Sequence, residues 1–161
     1  IAWFKVYHPL AFYAAYFSIR AKAFDLRIMT GDLKTQMTEF NRIKALDRAA
    51  SPKDKDLMSA LEVSMEMYQR GYRFINVDIQ HSEARRFSIK DGALLPPFLA
   101  IDSLGETVAD AIVAEREERP FTSLKDLQRR CKVSNTIIDL MKELKCCGEL
   151  PEDEQMSLFG A

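Results

Sequence analysis

Behind Pro9, which a first helical turn tolerates, Leu10, Tyr13, Ala14, Phe17 and Ala21 recur at helical spacing, so the chain opens on a short helix, a bend and a second helix. Between Asp32 and Asp47 a third helix carries Leu33, Met37, Phe40, Ile43 and Leu46 on one face, with Gly31 and Asp32 as its starting punctuation. Ser51 and Pro52 then supply an N-cap and a first-turn proline, and Asp54 adds the negative charge that a helix start favours. Leu57, Leu61, Met65 and Tyr68 continue that helix until Gly71 ends it.

After Gly71 the period shortens. Alternating stretches at 72–77, 86–89 and 93–95, the last two joined by the turn signal Lys90-Asp91-Gly92, predict a small antiparallel sheet. Pro96-Pro97 closes it and marks the boundary between two parts of the chain, because residues before proline resist helix. Three helical segments follow, patterned by Val108, Ala109, Ile112 and Val113, then by Leu124 and Leu127, then by Ile137, Ile138, Met141 and Leu144. Thr122-Ser123 and Ser134 stand where N-caps belong.

Charge and composition narrow what such a chain does. With 23 basic against 24 acidic residues in 161, no global field draws it to nucleic acid or an anionic membrane, so any polyanion contact has to be local. Cys131, Cys146 and Cys147 form no CxxC pair and have no nearby histidine, which points to neither a disulfide framework nor a zinc site but to reduced thiols. Lys5, His8 and Pro9 interrupt the apolar opening well short of the roughly 20 unbroken apolar residues a membrane span needs, so it reads as buried helix. A chain that starts inside an apolar run without a cap reads as cut from a larger protein.

The most informative internal pattern is Ile101-Asp102-Ser103-Leu104-Gly105-Glu106-Thr107-Val108-Ala109, a glycine turn opening directly into a helix. Such a turn presents backbone N–H groups at a helix start, where the dipole and unpaired donors suit a phosphate, and Gly105 permits close approach of a backbone. The pattern reads as a helix-hairpin-helix, a module that grips duplex phosphates without reading bases, or else as an ordinary tight turn between helices. A weaker second copy runs through a helix over 127–131, a hairpin Lys132-Val133-Ser134-Asn135 without glycine, and a helix over 136–144. Lys132, Ser134 and Asn135 are its candidate phosphate contacts. Lys125, Arg129, Arg130 and Lys132 form the densest basic cluster, whose other reading is a solvated helix face.

The tail Gln155-Met156-Ser157-Leu158-Phe159-Gly160-Ala161 follows the acidic, proline-marked stretch 150–154. Leu158 and Phe159 are apolar anchors and the Gln155 amide sets register for docking as an extended peptide, unless the end packs back on its own domain. No carboxylate pair stands in a recognisable metal motif, no phosphate-binding glycine-rich loop is present, and neither His8 nor His81 has a nucleophile or metal partner nearby in sequence. These patterns contain no self-sufficient active site.

Taken together, the run 1–10, Gly71-Tyr72-Arg73, Leu95-Pro96-Pro97-Phe98, Ser103-Leu104-Gly105-Glu106 and Gln155-Met156-Ser157-Leu158-Phe159 form an ordered series. This series resembles the C-terminal end of the bacterial replicative DNA polymerase III alpha subunit of the PolC type, over essentially the whole chain. The resemblance implies a mainly α fold with a small antiparallel β element. Residues 1–95 would be the later part of the polymerase fingers, 96–150 a tandem helix-hairpin-helix domain binding duplex DNA, and 151–161 a tail with a clamp-binding motif. It further implies DNA-backbone contacts at Ser103, Leu104, Gly105, Glu106, Thr107, Lys132, Ser134 and Asn135, and contacts to the β sliding clamp at Gln155, Met156, Ser157, Leu158 and Phe159. The implied partners are primer-template duplex, the clamp and the remaining polymerase domains, with no membrane, in a bacterial cytoplasm at the nucleoid. The parent's nucleotidyl transfer uses Mg2+ on palm carboxylates, and the parent also carries PHP and 3'-5' exonuclease domains. None of those catalytic residues matches a position here, so this chain is expected to hold no catalytic site, metal or cofactor of its own. Two rivals stay open: a free-standing helix-hairpin-helix adaptor with a partner-docking tail, and a purely structural helical scaffold.

Overall fold

The computed structural model describes residues 2–153. Helix α1 (Ala2–Tyr7) gives way at His8 to α2 (Pro9–Ile19), with Pro9 in the first turn. Tyr13 and Phe17 of α2 are buried, but α1 buries none of its residues, and Trp3, Val6 and Tyr7 are exposed. Burial of the apolar opening therefore holds for α2 and fails for α1. Polar contacts fasten α1 instead, through Lys5 Nζ on Glu66 at 2.6 Å and the Arg70 guanidinium on the Lys5 carbonyl.

The short α3 (Leu26–Met29) is capped by Asp25, α4 (Leu33–Leu46) by Asp32, and α5 (Pro52–Gln69) by a reciprocal capping box between Ser51 and Asp54. Gly71, at φ +88°, takes the left-handed conformation that stops α5. Helices α4 and α5 pack together along a face rotated from the expected one. Ile43 is buried, yet Met37 and Leu46 are exposed and Gln36 is fully buried in their place. The amide of Gln36 donates to the Met29 carbonyl at 3.1 Å and accepts from Ser64 Oγ at 2.6 Å, so its burial leaves no polar group unpaired.

A two-stranded antiparallel sheet joins β1 (Ser88–Lys90) to β2 (Ala93–Leu95), with Ile89 opposite Leu94. Asp91 (φ 51°) and Gly92 (φ 74°) make its two-residue turn, and positive φ at both is what a type I′ hairpin demands. The expected strand over 72–77 reduces to one bridge, Phe74 to Leu94. Phe74 instead packs edge-on against Phe17 and Phe24, each at 4.9 Å between centroids, and lies 5.8 Å from Phe87. That aromatic cluster ties residues 71–95 to α2.

Beyond a 3-10 turn at Phe98–Ala100 come α6 (Glu106–Glu118), α7 (Leu124–Cys131) and α8 (Asn135–Glu143). They are bonded to what precedes residue 96. Ile79 N donates to the Cys146 carbonyl, Asn76 Nδ2 to that of Leu144, and Arg116 Nη1 to those of Ile79 and Ser82, all between 2.6 and 3.1 Å. Burial pushes the Cys131 and Cys147 thiols up to about 11 and that of Cys146 to about 12, so all three stay protonated at neutral pH. Among the described residues no helix is long and apolar enough to cross a membrane.

Candidate nucleic-acid interface

The first hairpin is set by three consecutive residues. Ser103 is left-handed at φ 63°, Leu104 is buried with 4% exposure, and Gly105 is extended at φ −75°, ψ 160° as the N-cap of α6. The buried leucine pegs the turn to the core while its neighbours stay exposed. Leu104 can therefore meet a ligand only through its backbone, whereas Ser103, Gly105 and Thr107 lie at the surface. Gly105 has no side chain with which to cap α6, so the first-turn N–H groups are left for another acceptor. A Cβ built on Gly105 would meet nothing within 4 Å. Packing within the fold thus does not require glycine at 105, and the space beside it is open.

The second hairpin repeats this course without glycine. Lys132 is left-handed at φ 57°, Val133 is buried with 4% exposure, and Ser134 is extended at φ −71°, ψ 156° as the N-cap of α8. Position by position, the left-handed φ at 103, the buried side chain at 104 and the extended cap at 105 recur at 132, 133 and 134. Ser134 Oγ accepts from Ile137 N at 3.3 Å, and Asn135, at the first turn of α8, accepts from Gln128 through its side-chain oxygen. Lys132 is exposed and makes no ion pair among the described residues.

Sequence reasoning found both hairpins but ranked the second as the weaker copy because it lacks glycine; the order of exposed residue, apolar peg and N-cap just before a helix is the signal that puts the two on a par.

Electrostatics separate the two. Glu106, half-buried at the start of α6, is held by Lys22 Nζ at 2.8 Å and Arg85 Nη1 at 2.9 Å, and Arg85 also pairs with Asp110. The Lys22 hydrogen bond and charge, with Arg85, keep the Glu106 carboxyl below its ordinary range. With Lys22 and Arg85 on it, Glu106 does not leave an unpaired negative charge at the start of α6. Lys22 and Arg85 were not singled out by sequence patterns, since both come from elements distant in the chain.

The basic cluster does not act as one surface. Arg130 is internal, with only 9% of its side chain exposed; it pairs with Asp126 at 3.2 Å and Glu115 at 3.0 Å and lies 4.7 Å from the Phe121 ring centre. Its guanidinium also bonds the Glu115 and Arg119 carbonyls at the end of α6. Burial pushes the Asp126 carboxyl up, but hydrogen bonds from Arg129, the Thr122 N–H and Arg130 outweigh it and hold the group at about 2. Arg119, Arg129 and Arg130 thus converge on Asp126 and clamp the helix of the first hairpin to the opening helix of the second. Lys125 is turned the other way, onto Asp153 at 2.6 Å. Of the four clustered cations, Lys132 is the one standing at a hairpin.

Among the described residues no three His, Cys, Asp or Glu side chains gather as metal ligands. A cleft of about 450 Å3 runs beneath the first hairpin, between Phe24, Leu57, Leu140 and residues 99–106. Gln155, Met156, Ser157, Leu158 and Phe159 lie outside the described residues.

A family model for the helix-hairpin-helix motif matches residues 71–155. Curated relatives extend the likeness to 99% of this chain. They include PolC-type DNA polymerase III of Caldanaerobacter subterraneus subsp. tengcongensis, 44% identical over 159 residues, and those of Streptococcus suis and Streptococcus pyogenes, 46% and 44% identical over 162. The chain spans 11% of the length of each of these relatives. With a family model covering 71–155 and both hairpins built on one backbone course, the chain belongs to the helix-hairpin-helix family, and along nearly its whole length it is similar to a portion of PolC-type DNA polymerase III.

Proposed function

We propose that this chain is the portion of a replicative DNA polymerase that grips duplex DNA as it leaves the active site and tethers the enzyme to a sliding clamp. The observation that carries the first half is the repeated course at 103–105 and 132–134, each a left-handed residue, a buried peg and an extended cap. Two such turns offer helix-start N–H groups to two points on a phosphate backbone, a kind of contact that positions a duplex without reading its sequence. Ser103, Gly105, Glu106 and Thr107 serve the first point, with Leu104 as its peg, and Lys132, Ser134 and Asn135 serve the second.

The second half rests on the tail. Gln155, Met156, Ser157, Leu158 and Phe159 carry the glutamine, apolar and aromatic order that the polymerase resemblance assigns to clamp binding. Processivity is the contribution of this portion. The nucleotidyl transfer with its Mg2+ and the exonuclease belong to the remaining domains of the polymerase, which are its covalent partners in a bacterial cytoplasm. Likeness over 99% of the chain to a polymerase portion favours this reading over a separate adaptor or scaffold.

Titration with duplex DNA of unrelated sequences tests the grip. Affinity should be independent of sequence and fall with salt at a slope of about −0.9 per phosphate neutralised, or about −2 to −4 in all for two hairpins. Binding that does not respond to salt would remove the hairpin assignment. For the tail, replacing Leu158 and Phe159 by Ala should abolish clamp binding, and an unchanged affinity would leave the tail without this role.

A further inference from the structure

The acidic stretch before the tail is fastened to the hairpin unit. Leu150 packs half-buried against the core. The carbonyls of Pro151 and Glu152 accept from the N–H groups of Leu124 and Lys125 at 2.9 and 3.2 Å, which caps the start of α7 with another part of the chain. Two ion pairs add to this, Lys125 Nζ to Asp153 at 2.6 Å and Lys142 Nζ to Glu152 at 2.5 Å. Four polar contacts over three residues are more than a passive spacer needs. They also place the stretch away from the second hairpin. Helix α7 starts at this anchorage and ends at Lys132, so its eight residues separate the two by about 12 Å.

We propose that residues 150–153 are a docked root that fixes where the tail departs, so that the partner taken by the tail is held close to the α7 start and the Lys142 side of α8. Gln155 is two residues beyond Asp153, and two residues of chain reach at most about 7 Å. The backbone of Gln155 can therefore lie no further than about 7 Å from Asp153, so the partner's pocket for its amide is close to the anchorage, at the end of α7 opposite the second hairpin. Duplex and protein partner are gripped at the two ends of one short helix. Lys125 and Lys142 serve the root and not the duplex, their charges being taken up by Asp153 and Glu152. The inference rests on the clamp-docking reading of the tail.

A short docked root keeps the effective concentration of the tail at its partner high, and slack lowers it roughly as the −3/2 power of linker length. The test uses the full-length polymerase carrying this portion and a purified sliding clamp, first free in solution and then loaded on primed duplex. Inserting about twelve Gly and Ser residues between Asp153 and Glu154 should leave affinity in solution unchanged and shorten residence on the loaded clamp about tenfold. Lys125→Glu with Lys142→Glu should shorten it about threefold, and adding Glu152→Lys with Asp153→Lys should restore it, since the pairs are then remade in reverse. Residence that is unchanged or lengthened by the insert overturns the docked root. If instead Leu158→Ala with Phe159→Ala leaves clamp affinity in solution intact, the clamp reading itself fails, and that arm is independent of the insert.

Discussion

The two hairpins follow one backbone course with almost no residue in common. At the left-handed position stand Ser103 and Lys132, at the buried peg Leu104 and Val133, at the extended cap Gly105 and Ser134. Shape here is dictated by a peg between two constrained neighbours, and glycine is one way among several to meet the constraint. What differs is the chemistry laid on that shape. The first hairpin leaves its cap bare and surrounds Glu106 with Lys22 and Arg85, drawing its cations from elsewhere. The second caps itself with Ser134 and carries its cation, Lys132, within the turn. Equal shape with unequal chemistry predicts that changes to the pegs act alike in both hairpins, while changes to caps and left-handed positions separate stability from binding.

The comparison depends on α6 and α7 staying clamped, which makes Asp126 the most sensitive point. Removing one member of a buried ionic cluster leaves the others uncompensated, so Asp126→Asn should cost about 3 kcal/mol, read as a fall in denaturation midpoint, and should weaken duplex binding by disturbing both hairpins together. The folded-state pKa of Asp126 is depressed to about 2. Its contribution is therefore fully present above the unfolded value of about 3.9 and is lost as pH falls from about 4 toward 2. Acid titration of the wild type and Asp126→Asn should converge across that window, and curves that stay parallel would show that Asp126 is not the linked group.

Truncating the pegs comes next. Leu104→Ala should cost about 2.5 kcal/mol and Val133→Ala about 1.5, the larger side chain leaving the larger cavity. Both should lower duplex affinity along with stability. If one loses stability with its binding intact, that hairpin is not a grip, and the two turns are alike only in form.

At the first cap the two properties should part. Asp is a preferred N-cap, the φ of −75° suits any residue, and no atom stands within 4 Å of a new Cβ at 105. Gly105→Asp should therefore leave the melting temperature unchanged or slightly raised. Its carboxylate would repel a phosphate arriving there, lowering duplex affinity about tenfold, or about 1.4 kcal/mol. Duplex affinity equal to wild type would mean that phosphate does not approach Gly105.

Much of this architecture was legible in the sequence because it is local. Asp32, Ser51, Ser123 and Ser134 cap the helices they precede, and Asp91-Gly92 turns the hairpin. What was illegible depends on partners distant in the chain. Gln36 can be buried only because Ser64 and the Met29 carbonyl satisfy it, which no helical period reveals. Residues 72–77 alternate like a strand, but the ring of Phe74 is taken into the aromatic cluster and pairing stops at a single bridge. Arg130 looked like one of four solvent-facing cations until Glu115 and Asp126 came beneath it. The second hairpin was discounted for lacking glycine, although the matching position, Ser134, is extended like Gly105 and needs none, and the cost of left-handed φ falls on Lys132 just as it does on Ser103.

That cost suggests the finest separation between the hairpins. A non-glycine residue in the left-handed region is disfavoured by about 1 kcal/mol, while glycine adds roughly half as much back through its freer unfolded chain. Ser103→Gly and Lys132→Gly should each then stabilise the protein by about 0.5 kcal/mol, a rise of one or two degrees in melting temperature. Their binding should differ. Ser103→Gly keeps every charge at the first hairpin and should leave duplex affinity and its salt slope as they were. Lys132→Gly removes the cation the second hairpin carries within its turn, and should reduce the salt slope by about one while the fold grows firmer. If Lys132→Gly gains stability and keeps its slope, the second hairpin holds duplex by its N–H groups alone, and the two hairpins are alike in chemistry as well as in shape.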